Sequence, residues 1–154
     1  MRRLSLILSL ALAVCQSPAA EAGASLFLQQ AYERLLSVRV FAFGEVGGGW
    51  TPPQLWMTSE GEHCLRTLAA STDGLPLFKA ALTNSTSEAK LYALVGIQHL
   101  APEQFDALAA PVIAANPPVH LRIGDTGMGM NASNIVAQIK KGWYEEFCPP
   151  KDSR

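Results

Sequence analysis

The sequence predicts a mainly α fold, a single domain of about six helices in antiparallel hairpins, solenoid-like in the middle, with at most two short strands. Three observations predict it. Apolar residues recur at three- and four-residue spacing in six separate stretches, the signature of helices with one buried stripe. Two of those stretches open on Ser-x-x-Glu, the pattern that caps a helix start. The links between successive amphipathic stretches from Ser59 to Ala114 are short, which folds neighbouring helices back on one another. No repeat of fixed period runs through the chain, so the solenoid likeness is local. With 49 % hydrophobic and 16 % charged residues, the composition excludes intrinsic disorder.

The chain opens on Met1-Arg2-Arg3 and an apolar run from Leu4 to Val14, a secretory leader whose core is too short to cross a membrane as a helix. Ala20-Glu21-Ala22 offers small residues to a signal peptidase, giving a leader over 1–22 and a domain over 23–154. The competing exit is Leu12-Ala13-Val14-Cys15, which resembles a bacterial lipobox and would leave Cys15 acylated as an anchor. No later stretch has the roughly 18 uninterrupted apolar residues of a transmembrane helix. Removing the leader takes away two basic residues and one acid, so ten basic side chains face twelve acidic ones. Nothing in that balance attracts a phosphate backbone, and nucleic acid is not an expected partner.

Within the domain, Ala24 to Leu36 carries a helical stripe at Leu28, Ala31, Tyr32, Leu35 and Leu36. Val38 to Phe43 is β-branched and aromatic and reads as a short strand entering the glycine loop Gly44 to Trp50. A helix begins at about Ser59, with Ser59 and Glu62 as a capping box, and a further helix spans Asp73 to Leu82. The second box, Ser85 and Glu88, opens a helix to Leu100, the expected centre of the core. Ala101 to Val112 forms another, which Pro111 should end or kink. Val119, Leu121 and Ile123 alternate with His120 and Arg122 as in a half-buried strand, and Gly124 to Asn131 reads as a loop. The last helix, capped by Ser133 or Asn134, carries Ile135, Val136, Ile139, Trp143 and Phe147 on one stripe until Cys148-Pro149-Pro150 stops it.

Few residues suggest chemistry. Gly124-Asp125-Thr126-Gly127-Met128-Gly129 lies between strand and helix, where backbone N–H groups would cradle a phosphate. Its glycines run in the reverse order of the dinucleotide fingerprint and no Walker lysine follows, so an αL turn before a helix cap is the competing reading. Gly47, Gly48 and Trp50 form a second glycine cluster, either ligand-facing or a tight backbone crossing. A hydrolase would have to draw on Ser59 or His63, but no nucleophile elbow is present and Ser59 already has a capping role. Outside the cytoplasm, Cys64 and Cys148 are expected to join as a disulfide, closing a loop of about 85 residues and adding on the order of 4 kcal/mol. The alternative is two buried thiols acting as small hydrophobes. Adjacent His63 and Cys64 point to different sides of a helix, so no metal is expected, and no cofactor either.

Phe43-Gly44-Glu45-Val46-Gly47, Thr58-Ser59-Glu60-Gly61-Glu62 and Leu91-Tyr92-Ala93-Leu94-Val95-Gly96-Ile97 together resemble an uncharacterised family of small exported bacterial proteins, some labelled as parts of a microcin production system. The resemblance covers the middle third of the chain. It implies a bacterial, envelope-located helical domain and brings no catalytic residue or ligand with it. Where that family commonly has a cysteine before the last helix, this chain has Gly127 and Met128. A stable core, an address outside the cytoplasm and no assembled chemistry together lead to one expectation: a non-enzymatic module that binds a protein or small ligand in the cell envelope, through a helical face or a glycine loop.

Overall fold

The structure, a computed structural model, describes residues 18–46 and 57–150. The fold is mainly helical. In chain order the elements are α1 (Pro18–Ser37), β1 (Phe41–Phe43), β2 (Glu45–Val46), β3 (Met57–Thr58), α2 (Glu60–Ala69), α3 (Gly74–Ala81), α4 (Ser87–Leu100), α5 (Phe105–Ala115), β4 (Pro118–Ile123), β5 (Thr126–Asn131) and α6 (Ala132–Lys140). Single 3-10 turns at Pro102–Gln104 and Glu145–Phe147 lead into α5 and close the chain.

α4 is the hub. All of Leu91 to Ile97 is buried, too broad a surface for one amphipathic stripe, because α2, α3, α5, α6 and β1 all pack on it. Each fully buried leucine or isoleucine of this set contributes about 1.5–3 kcal/mol of transfer free energy. Three strands form a sheet in the order β1-β4-β5: β1 runs parallel to β4 with Phe41 beside Leu121, and β5 returns antiparallel with Leu121 beside Met128. A separate pair, β2 and β3, is antiparallel. Among the described residues five short strands therefore stand where at most two were expected. β4 alternates as read at Val119 and Leu121, which are buried, and at His120, which is exposed, but Ile123, expected on the buried side, stands in solvent.

Helix starts follow the capping logic with two adjustments. Ser59 is the N-cap of α2, its Oγ accepting the Glu62 N–H at 3.1 Å. Glu62 does not reach back to complete the box. It is buried, accepts the Gly44 N–H at 2.8 Å and pairs with Arg66 at 3.2 Å. At α4 the cap is Thr86 rather than Ser85: its Oγ1 accepts the Ala89 N–H at 3.1 Å, while Ser85 donates to the Ala81 carbonyl. Thr86 also donates to the Val38 carbonyl, tying α4 to the end of α1. Glu88 is thereby released to cross to β4, where it accepts the His120 N–H at 3.0 Å.

Helix ends differ more. α5 continues past Pro111 to Ala115 and stops at Asn116, a left-handed residue with φ +40°, whose Oδ1 accepts the Ser133 N–H at 3.0 Å. Asn116 thus supplies, from another element, the cap expected of Ser133 or Asn134. α6 ends at Lys140, well before the Cys148-Pro149-Pro150 stop. Gly142 has φ +80° and donates to Ile139 O at 2.9 Å, while Trp143 donates to Gln138 O at 3.3 Å, the two bonds of a Schellman motif. That turn removes Trp143 and Phe147 from the α6 stripe. His99 is buried, with its Nδ1 2.8 Å from a Glu145 carboxylate oxygen.

The Cys64–Cys148 bridge is not formed. Both sulfurs are buried, but the aromatic cluster lies between their surroundings. Cys64 sits on the Tyr92 side and Cys148 has its Sγ 4.0 Å from the Tyr144 carbonyl oxygen. Phe41 and Phe43 pack between these two tyrosines, with ring centroids 4.8 to 5.2 Å apart. Burial, aided by Glu60, pushes the Cys64 thiol up to about 11, the state of an unreactive core thiol. Among the described residues no helix is long and apolar enough to cross a membrane.

Candidate apolar groove and sheet edge

The G-x-x-G-x-G stretch is a hairpin, not a phosphate loop. Gly124, at φ +60°, and Asp125 form a two-residue turn between β4 and β5; a left-handed first residue followed by a non-left-handed one is the pattern of a type II′ turn, which takes glycine first. Thr126, Gly127 and Gly129 lie on β5, with side-chain directions alternating along the strand. The residues flanking a two-residue turn form a hydrogen-bonded pair, and such pairs then alternate. Thr126, Met128 and Met130 therefore bond to β4, while the backbone groups of Gly127 and Gly129 face outward. Two bonds fix the phase independently: Ala132 N–H goes to Pro117 O, and His120 N–H leaves the ladder for Glu88. No set of N–H groups converges on one point, so the arrangement is not a phosphate cradle.

Of the residues singled out in sequence, Asp125, Gly127 and Gly129 come together with His120, Arg122 and Val40 around an open concavity of about 410 Å³ on the outer face of the sheet. Gly124 and Thr126 flank it in the turn and at the start of β5. Gly47, Gly48 and Trp50 lie outside the described residues. Ser59 is held by three partners: it donates to Ala42 O at 2.6 Å, lies 3.2 Å from the Tyr92 hydroxyl and accepts from Glu62 N–H. No histidine is among them. His63 is exposed on α2, lining a cleft with Arg34 and Cys64.

The opposite side of the hairpin carries a more enclosed feature that sequence reading missed. Because Leu121, Ile123, Met128 and Met130 share one face of β4 and β5, they form a wall; Phe43, Tyr144 and Phe147 form the floor, and the Schellman turn after α6 swings Trp143 over the rim. The groove has a volume of about 230 Å³. Ile123, Met128 and Trp143 are 62, 41 and 60 % exposed, and all three line it. Phe43 stacks on Tyr144 and Phe147 at 4.9 Å, so the floor is fixed by ring packing, and Tyr144 donates to Gln138 Oε1 at 2.8 Å. Burial raises the Tyr144 hydroxyl above its ordinary value, so it stays a neutral donor. Two signals for this groove were present in sequence: the strict alternation of Gly127 and Gly129 with Met128 and Met130, and Gly142 following Lys140-Lys141 as a helix stop.

Compared with family models, with curated proteins and with solved structures, the chain gives no significant match.

Proposed function

We propose that the chain is an exported, non-enzymatic binding module whose ligand-facing surface is the groove beneath Met128 and Trp143. One observation carries this reading: three large apolar side chains stand in solvent around a single ring-floored groove, where a self-contained domain would gain by burying them. The occupant is a large apolar side chain presented by a partner protein. At about 230 Å³ the groove is smaller than the roughly 300–1,000 Å³ of small-molecule sites. Its Trp, Phe, Tyr and Met lining is the composition enriched at the core of protein interfaces. The helices from Ser59 to Ala115 serve as antiparallel hairpins that back the sheet, a reading supported by their short connections and by their shared packing on α4. The basic start and apolar run of the leader support an address in the cell envelope, with cleavage after Ala22 or acylation at Cys15 as its two forms.

The test is site-specific photo-crosslinking from position 143 in the intact envelope. The reading requires a discrete partner band that disappears in Met128→Asp while the melting temperature of that variant stays within a few degrees. A Met128→Asp chain that crosslinks as the natural one does would remove the groove from the function, and a product found untrimmed in the cytosolic fraction would remove the envelope address.

A further inference from the structure

The sheet has a second unsatisfied feature, separate from the groove and leading beyond the reading above. β5 is an edge strand whose residues are exposed from Thr126 to Gly129, and among the described residues nothing covers its outer side. The outward N–H and C=O groups of Gly127 and Gly129, with the N–H of Asn131, form a bare row. Nothing lies within 4 Å of where a Cβ would stand on either glycine, so the outer face beside this edge is uncrowded as well.

We infer that this edge pairs with β5 of a second copy, antiparallel about a two-fold axis at Gly129, joining two three-stranded sheets into one of six. An isologous contact must be self-complementary, and this one is. Pairing Gly129 with Gly129 of the second copy sets Gly127 opposite Asn131 and Asn131 opposite Gly127, so every outward backbone group in the row meets a strand running in register. Met128 falls beside Met130 of the second copy, apolar against apolar. Asp125 falls opposite Ser133, in the first turn of the other copy's α6. That turn carries no acidic side chain of its own, and the carboxylate would meet the positive end of the helix dipole. No like charges are brought face to face along the strand itself. A foreign extended peptide would satisfy the same backbone row, but only the second copy also supplies the Asp125 partner and the matched methionines.

Cysteine substitution reads out the register directly. In a hydrogen-bonded antiparallel pair the Cα atoms are about 5.5 Å apart, inside the roughly 4.4–6.8 Å span of a disulfide. Gly129→Cys should give a covalent dimer under mild oxidant at a protein concentration on the order of 100 µM. Gly127→Cys, displaced from its own equivalent by four residues or on the order of 13 Å, should not. The natural chain, with Cys64 and Cys148 buried, serves as the background. In sedimentation equilibrium the natural chain should be dimeric, and Gly129→Pro should weaken association at least tenfold with its circular dichroism unchanged. Trp143→Ala should lose the envelope partner yet remain dimeric, which separates failure of the groove reading from failure of this one. A natural chain that sediments as a monomer, equal crosslinking at 127 and 129, or dimers that persist in Gly129→Pro would each overturn the inference, as would binding of a foreign peptide in competition with no self-association.

Discussion

The two edges of the same small sheet are treated in opposite ways. At β1, every polar group that faces away from β4 is taken up by a side chain from the helical layer. Ala42, only 2 % exposed, donates its N–H to the Tyr92 hydroxyl at 2.8 Å and accepts from Tyr92 and Ser59 at 2.6 Å, and Gly44 donates to buried Glu62. At β5 the outward backbone groups of Gly127, Gly129 and Asn131 meet no helix side chain among the described residues. A strand end buried in the core must find partners inside the molecule, because an unsatisfied backbone group there costs about 1–3 kcal/mol. An edge left in water has no such obligation. Stability is therefore concentrated around Tyr92, and the surface around β5 is available for interaction.

The comparison is broken most severely by Tyr92→Ala. It deletes a fully buried ring that touches Phe41 and Phe43 and leaves the Ala42 N–H without a partner. A loss of about 3–5 kcal/mol is expected in urea unfolding, and a loss below about 1 kcal/mol would show that the β1 edge is not held from α4. Gly61→Ala attacks the same ring from the other side, since a Cβ there would stand 2.2 Å from the Tyr92 ring.

Alkaline pH opens the sealed edge without mutation. Burial, partly opposed by the hydrogen bond with Ser59, pushes Tyr92 up to about 12 from its ordinary 10.0. In the unfolded chain the phenol loses its proton near 10. Between those values the folded state binds the proton and the unfolded state does not, so stability present below pH 10 is lost as pH rises toward 12. Two pKa units correspond to about 3 kcal/mol. Cys64, raised from 9.0 to about 11, starts the decline near pH 9 in the same direction. Unfolding midpoints measured from pH 8 to 12 should fall, and in Tyr92→Phe the decline above pH 10 should flatten. A natural chain equally stable at pH 9 and 12 would contradict the sealed edge.

How much of this was legible in the sequence follows the same division. The helices were, because their stripes report burial at short range: Ser59 was recognisable as a cap and α4 as the hub. Side chains that act across the fold were not. Glu62, Glu88 and His99 find their partners at Gly44, His120 and Glu145, and no local pattern says where a buried acid or imidazole will reach. β5 was missed because two of its six residues are glycines, which lower strand propensity even where pairing with β4 enforces a strand. The groove was missed with it, since its wall is one face of that strand and its rim depends on Trp143 leaving the helix at Gly142.

A smaller effect separates capping from catalysis. Ser59→Ala removes the N-cap of α2 and one of two hydroxyl donors to Ala42 O, while Tyr92 continues to serve that carbonyl. The expected cost is about 1 kcal/mol. If the purified protein shows any hydrolytic turnover, that turnover should survive the substitution; its abolition with the fold intact would make Ser59 a nucleophile.

The smallest effect is expected on the open edge, and its smallness is informative. Gly127→Thr puts a β-branched residue on the outer face of β5, beside Arg122 on β4, where nothing stands within 4 Å of the new Cβ. No ring has to move and no buried group loses a partner. Strand propensity and reduced freedom of the unfolded chain both act in its favour. Thermal melting should therefore change by no more than about 0.5 kcal/mol, in the stabilising direction. A loss above about 1 kcal/mol would mean that β5 is packed against something in solution on its outer face, and the contrast between the two edges would have to be abandoned.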